Sequence, residues 1–122
     1  MSIKDAGIIN GEVVKEALLE SEGSSVSVLS FGAITKNWTV KFGSKSIPIV
    51  LGFNSLDAYQ ADKNFVGIIA GRVANRTQNG RFKLKTIEYQ LPINDYPNHL
   101  HGGSLGFGKK NWELEFDSKN CA

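Results

Sequence analysis

At 122 residues, 41% of them hydrophobic, the chain has enough material for one domain with a buried core. A formal net charge of +2, with no long run of one sign, calls for neither nucleic acid nor an acidic membrane, and the one cysteine, Cys121, excludes an internal disulfide or a zinc site built on this chain's cysteines. The opening MSIKDAGIINGEVVKE lacks the basic start and apolar centre of a secretion signal, and no stretch is long and apolar enough to span a bilayer, so a cytoplasmic protein is expected.

Most of the chain alternates with period two, the mark of strands with one wet face, because successive side chains of a strand point to opposite sides. Glu12 to Glu20, EVVKEALLE, mixes helix formers with a Val13-Val14 pair, and we read it as strand. Trp38, Val40 and Phe42 alternate with Thr39 and Lys41, which predicts a second strand. The run FVGIIAG from Phe65 is apolar and short, as for a segment crossing the core, and its local structure stays open. Phe82 and Leu84, then Ile87, Tyr89 and Leu91, predict two strands joined at Lys85-Thr86, where the absence of Asn-Gly or Asp-Gly leaves the hairpin geometry in doubt. Trp112, Leu114 and Phe116 alternate with Glu113, Glu115 and Asp117 and predict a last strand. Gly80, Pro92, Pro97 and Gly102-Gly103 punctuate these segments, and no repeat or linker divides them. Many short strands in one unit make residues 1–122 a single all-β domain, an antiparallel sandwich.

Three stretches could carry chemistry. Gly103 to Lys109 has the G-x-x-x-x-G-K spacing of a phosphate loop, but Lys110 stands where a Ser or Thr should hold Mg²⁺ and NWELEF follows like a strand, so nucleotide binding is rejected. In GRVANR, Gly71 to Arg76, surface arginines would ordinarily be solvated, yet an Asn-Arg pair offers the fixed donors and acceptors that sugar hydroxyls need. In NHLHGG, Asn98 to Gly103, the glycines allow close backbone approach, and an imidazole, with its ordinary pKa of about 6.5, can donate or accept a proton. His99 and His101 stand two apart and could be read as metal ligands, but no third ligand is evident, so no metal is assigned. The sequons at Asn37 and Asn75 are taken as chance, since glycosylation would require a secretory route.

VSVLSFGAITKNWTV, IVLGFNSLDAYQ, GRVANRTQNGRFKL, YQLPIN and NHLHGGSLGFGKKNW, in that order from Val26 to Trp112, resemble the N-terminal third of the galactose mutarotase (aldose 1-epimerase) family. The resemblance implies a partial antiparallel β-sandwich of the galactose mutarotase-like type. It also implies interconversion of the α and β anomers of a free aldose such as galactose or glucose, with no cofactor. By the same resemblance Asn75 and Arg76 match the pair that contacts sugar hydroxyls, and His101 matches the histidine beside the ring oxygen, the one catalytic candidate in this chain. His99 falls at a variable position and is expected to be an incidental neighbour, and Arg72 to be structural.

By the resemblance, the family's second histidine, assigned as its general acid, its sugar-binding aspartate and its C-terminal glutamate base have no counterpart before Ala122, and Glu113 and Glu115 match no motif that would make either the base. The isolated chain is therefore expected to be truncated and inactive. The alternatives are a non-catalytic carbohydrate-binding module for an aldohexose, or a subunit completed by association. Exposed edges of a divided sandwich would recruit a second chain, so a homo-oligomer is expected.

Overall fold

The computed structural model describes residues 1–117, and Cys121 lies outside the described residues. Five strands, β1 (Ser2–Ile9), β2 (Glu12–Ser21), β3 (Ser24–Leu29), β4 (Ile34–Phe42) and β5 (Lys45–Pro48), form an antiparallel meander in chain order. After it come a six-residue helix α1 (Leu56–Ala61), β6 (Arg76–Thr77), the hairpin β7 (Arg81–Leu84) and β8 (Ile87–Gln90), and β9 (His99–Leu100), which pairs with β6. Every pairing between these strands is antiparallel, in line with the expected all-β class.

Register decides what the sheet buries. Glu16 pairs with Leu29 and Leu29 with Ile34, so these share a face with Val14. There Val14, Leu29 and Ile34 pack with Ile9, Phe31 and Tyr59 into the core. Tyr59 comes from α1, which begins where Ser55 Oγ accepts the amide hydrogen of Ala58 at 3.3 Å, a side-chain cap that also explains why so short a helix starts there. The Tyr59 hydroxyl accepts from the Phe53 amide at 2.9 Å and ties the helix back to the chain leading into it.

The opposite face is largely uncovered. Leu19 pairs with Val26, Val26 with Trp38 and Val40 with Ile47, which puts these side chains on one side with Phe42. Trp38 is 41% exposed, Phe42 76% and Ile47 40%. A contiguous apolar face of this kind is unusual on a monomer's surface.

One charge lies on the buried face. Glu16 accepts from Lys36 Nζ through both oxygens, at 3.1 and 3.0 Å, with Lys4 Nζ 3.6 Å away. Burial raises its pKa, but hydrogen bonds from Lys36 and Ser27 and the charges of Lys36 and Lys4 outweigh this and hold it below the ordinary 4.5. A folded pKa below the unfolded one means that the stabilisation is present above pH 4.5 and disappears as pH falls through the folded value. Glu16→Gln is expected to flatten the acid arm of the stability profile and to lower stability at neutral pH by about 1–3 kcal/mol, the scale of hydrogen bonds to a charged group. Urea melts of both proteins from neutral to acid pH check this, and parallel acid arms would contradict it.

One segment differs from the sequence reading, and the structure supplies the local form of another that the sequence left open. Residues 112–117 form no strand: Asn111 makes an isolated bridge to Phe31 and the Trp112 amide donates to Ser30 O at 2.9 Å, but no second strand among the described residues fills the remaining backbone bonds. FVGIIAG is irregular and does run along the core, with Ile68 packed on it and the Ile69 amide donating to Gly32 O at 3.0 Å.

Candidate active site

The two-residue strands β6 and β9 bring GRVANR and NHLHGG together, with Arg76 opposite Leu100 and Thr77 opposite His99. Asn75 and His101 then meet at the open end of that ladder. The His101 amide donates to Asn75 O at 3.1 Å, and the Asn75 amide donates to His101 Nδ1 at 2.9 Å. An amide N–H can only donate, so Nδ1 keeps its lone pair and the neutral imidazole carries its proton on Nε2. His101 is therefore set as a hydrogen-bond donor at the nitrogen its neighbours leave free.

Asn75 Oδ1 accepts the Arg76 amide at 2.9 Å, which leaves the Asn75 side-chain NH₂ as a donor. Arg76 Nε donates to Asp95 Oδ2 at 2.6 Å, a half-exposed pair that fixes the plane of the guanidinium. The carboxamide of Asn94 acts as a substitute strand for β9, donating to Leu100 O at 3.0 Å and accepting the Leu100 amide at 2.8 Å.

His101 lines a cleft of about 520 Å³, within the range of small-ligand sites. Phe65, Asp62, Asp95, Ser104 and Lys109 also line it. Asn75 and Arg76 stand outside its lining and connect to it through His101 and Asp95. Neither cleft carboxylate is idle: Asp95 holds Arg76, and Asp62 accepts the amides of Asn64 and Val66 at 2.9 and 2.7 Å.

The site also concentrates unusual backbone. Phe65, Asn75 and His101 have φ of +60°, +63° and +51°, each costing roughly 1–2 kcal/mol for a residue with a Cβ, less for asparagine. Such strain persists where the surroundings over-determine it, and functional sites are where it collects.

His99 is corrected from incidental neighbour to structural residue. It is 3% exposed, and its Nδ1 lies 2.8 Å from Pro92 O, an acceptor, so its proton sits on Nδ1, the reverse of His101. Gly103 packs on its ring, where a Cβ would come within 3.0 Å of Cε1. Arg72 lies over the Phe107 ring, 5.0 Å from its centroid, as a structural role would have it. Sequence reasoning missed Asp95, Asn94 and Phe65. The Asn94-Asp95 dipeptide ahead of Tyr-Pro was a visible signal for side chains that bond nearby backbone, whereas nothing local marked Phe65.

Among the described residues, no group of three or more His, Cys, Asp or Glu could hold a metal ion, and no helix is long and apolar enough to cross a membrane.

A family model described as Aldose 1-epimerase matches residues 15–121. Galactose mutarotase of Mus musculus is 41% identical over 103 residues, which is 84% of this chain and 30% of the mouse protein. The chain thus spans about 30% of that relative's length. An aldose 1-epimerase of Lactobacillus helveticus is 32% identical over 115 residues, covering 93% of this chain and 85% of the bacterial one. The crystal structure of galactose 1-epimerase from Lactobacillus acidophilus superimposes with a TM-score of 0.80 at 30% identity, over 96% of this chain and 35% of that one.

Proposed function

Because the chain belongs to the aldose 1-epimerase family, we propose that its cleft receives a free aldohexose such as galactose or glucose, and that His101, Asn75 and Arg76 are the part of an anomer-interconverting site that this chain supplies. The reciprocal Asn75–His101 pair is the observation that carries this reading, because it commits Nε2–H of His101 to donate.

Mutarotation needs a donor at the ring oxygen and a base at the C1 hydroxyl. As the base takes the hydroxyl proton, C1 and its oxygen become an aldehyde and the bond from C1 to the ring oxygen breaks. The ring oxygen takes a proton as it leaves, C1 rotates, and reversal on the other face closes the second anomer. His101 Nε2–H supplies the hydrogen bond to the ring oxygen. The Asn75 NH₂ and the Arg76 guanidinium, beside the cleft and not in its lining, supply donors to hydroxyls that project past His101 and Asp95, each held by a partner so that little ordering is left for binding. Asp62 and Asp95 are engaged by backbone amides and by Arg76, which leaves neither as a free base. A hydrogen-bond donor without the general acid and the base gives little turnover, so the isolated chain binds aldose weakly and is inactive or nearly so.

The uncovered sheet face with Trp38, Phe42 and Ile47 favours a second reading, in which the chain works in association, with a further copy as the simplest partner. A sugar enzyme with one cysteine suits the reducing cytoplasm.

Polarimetry of freshly dissolved α-D-galactose and α-D-glucose tests the function, with light scattering on the same samples to give the assembly state. The expected result is a rate equal to buffer for chain and His101→Ala alike, with galactose-induced NMR shifts around His101 that the variant loses. Acceleration by the chain that His101→Ala abolishes would overturn inactivity and, if the particle is an oligomer, support association. Absence of any galactose-induced shift would sink the sugar reading.

A further inference from the structure

The geometry points to Phe65 as the positioning residue that fixes His101. The inference rests on the reading of His101 as the donor to the sugar ring. It assigns a role to a side chain outside both motifs that pair at the site.

A single hydrogen bond at Nδ1 does not hold an imidazole still. The ring can rock about that bond, and Nε2, on the far side of the ring, then moves furthest. Phe65 limits this motion: its ring meets the imidazole edge to face, with centroids 4.9 Å apart and planes at 71°. Both rings line the same cleft.

The loop invests in keeping Phe65 there. At φ +60° its backbone is in a region that bulky residues avoid. The carboxylate of Asp62 accepts the amides of Asn64 and Val66, the residues on either side of Phe65, one on each oxygen. Just beyond, Gly67 O accepts the Thr35 amide at 3.0 Å, anchoring the loop to β4. The loop is clamped on both flanks, and the Phe65 ring faces the candidate donor.

The test uses the ¹⁵N-labelled chain without sugar, at mildly alkaline pH. In the unmodified chain we expect NOEs between Phe65 and His101 ring protons, and imidazole ¹⁵N shifts of one Nε2–H tautomer for His101. Phe65→Leu keeps an apolar side chain but removes the ring. It should leave the tautomer set by Asn75 in place while the freer ring shifts and broadens the His101 imidazole signals, and it should weaken galactose binding roughly two- to tenfold, the size of one edge-to-face contact. Phe65→Tyr should restore both. His99, held as the Nδ1–H tautomer by Pro92, should not change in either variant and reports that the fold is intact.

Unchanged His101 shifts in a folded Phe65→Leu chain would overturn the proposal. If that variant fails to fold, the NOEs of the unmodified chain decide, and their absence overturns it. If galactose does not bind at all, the sugar reading fails while the NOEs and imidazole shifts still report on Phe65.

Discussion

Gly102→Ala is expected to destroy the ordered site and to remove a large share of the chain's stability. Gly102 has φ +87°, and a Cβ there would fall on the carbonyl of Gly71 and against the Arg72 amide nitrogen. Those are backbone atoms, so no change of rotamer relieves the overlap. The turn of NHLHGG would have to part from the first residue of GRVANR, taking the Asn75–His101 bonds with it. Gly106 lies on the same seam, where a Cβ would meet the carbonyls of His101 and Gly71 at 2.7 and 3.0 Å.

A clash of this kind belongs with the exceptional substitutions that cost about 4–5 kcal/mol or more, out of the roughly 5–15 kcal/mol that holds a typical domain folded. Gly11→Ala is the control. Its φ of +82° is nearly the same, but nothing lies within 4 Å of the added carbon, so it should cost only the backbone term of about 1–2 kcal/mol. Thermal melts by circular dichroism compare the two. Equal melting points would mean that the two motifs are not in backbone contact.

The strands that were legible in the sequence are those with a clean two-residue period. β4, β7 and β8 alternate apolar and polar residues, so pattern alone marks them, whereas EVVKEALLE of β2 carries a mixed signal. β1 hides because its register shifts between Asp5 and Gly7, which moves the later side chains to the other face. α1 is too short for a helical period to emerge, although Ser55 marks its start. Residues 112–117 misled for the opposite reason: alternation records a segment suited to pairing, and pairing needs a neighbour. The hairpin at Lys85-Thr86 forms despite its turn residues, with Lys85 at φ +55°. Cross-strand pairs hold its register, Phe82 stacked on Tyr89 at 5.0 Å and Arg81 Nε donating to Gln90 Oε1 at 2.7 Å.

The site was legible where one motif carries the information and hidden where only the fold does. Asn75, Arg76 and His101 stand inside recognisable stretches, and the structure joins them through β6 and β9. The aromatic wall and the carboxylate behind Arg76 come from 19 residues along the chain for Asp95 and from a separate loop for Phe65, distances that no local pattern encodes. His99 is the instructive case. Its neighbour performs the chemistry proposed here, and the same two-residue spacing that suggested a shared role instead gives the two imidazoles opposite tautomers.

A chimera in which this chain replaces the segment it matches in mouse galactose mutarotase is expected to catalyse galactose mutarotation where the isolated chain does not. The match spans 84% of this chain but only 30% of the mouse protein, so the graft would keep the rest of the relative's chain around this segment. Within the chimera, His101→Ala should lower kcat by about 10²- to 10³-fold, the usual cost of removing one preorganised hydrogen-bond donor from a reacting oxygen. Arg76→Lys should act differently, because an ammonium cannot both hold Asp95 and present further donors from one rigid plane. It should raise KM several-fold, with a smaller effect on kcat, the signature of lost ground-state and transition-state binding together. An active chimera indifferent to His101→Ala would remove His101 from the reaction. An isolated chain as fast as the chimera would mean instead that acid and base both lie within these residues, and the search for the base would return to the cleft beside Asp62 and Asp95.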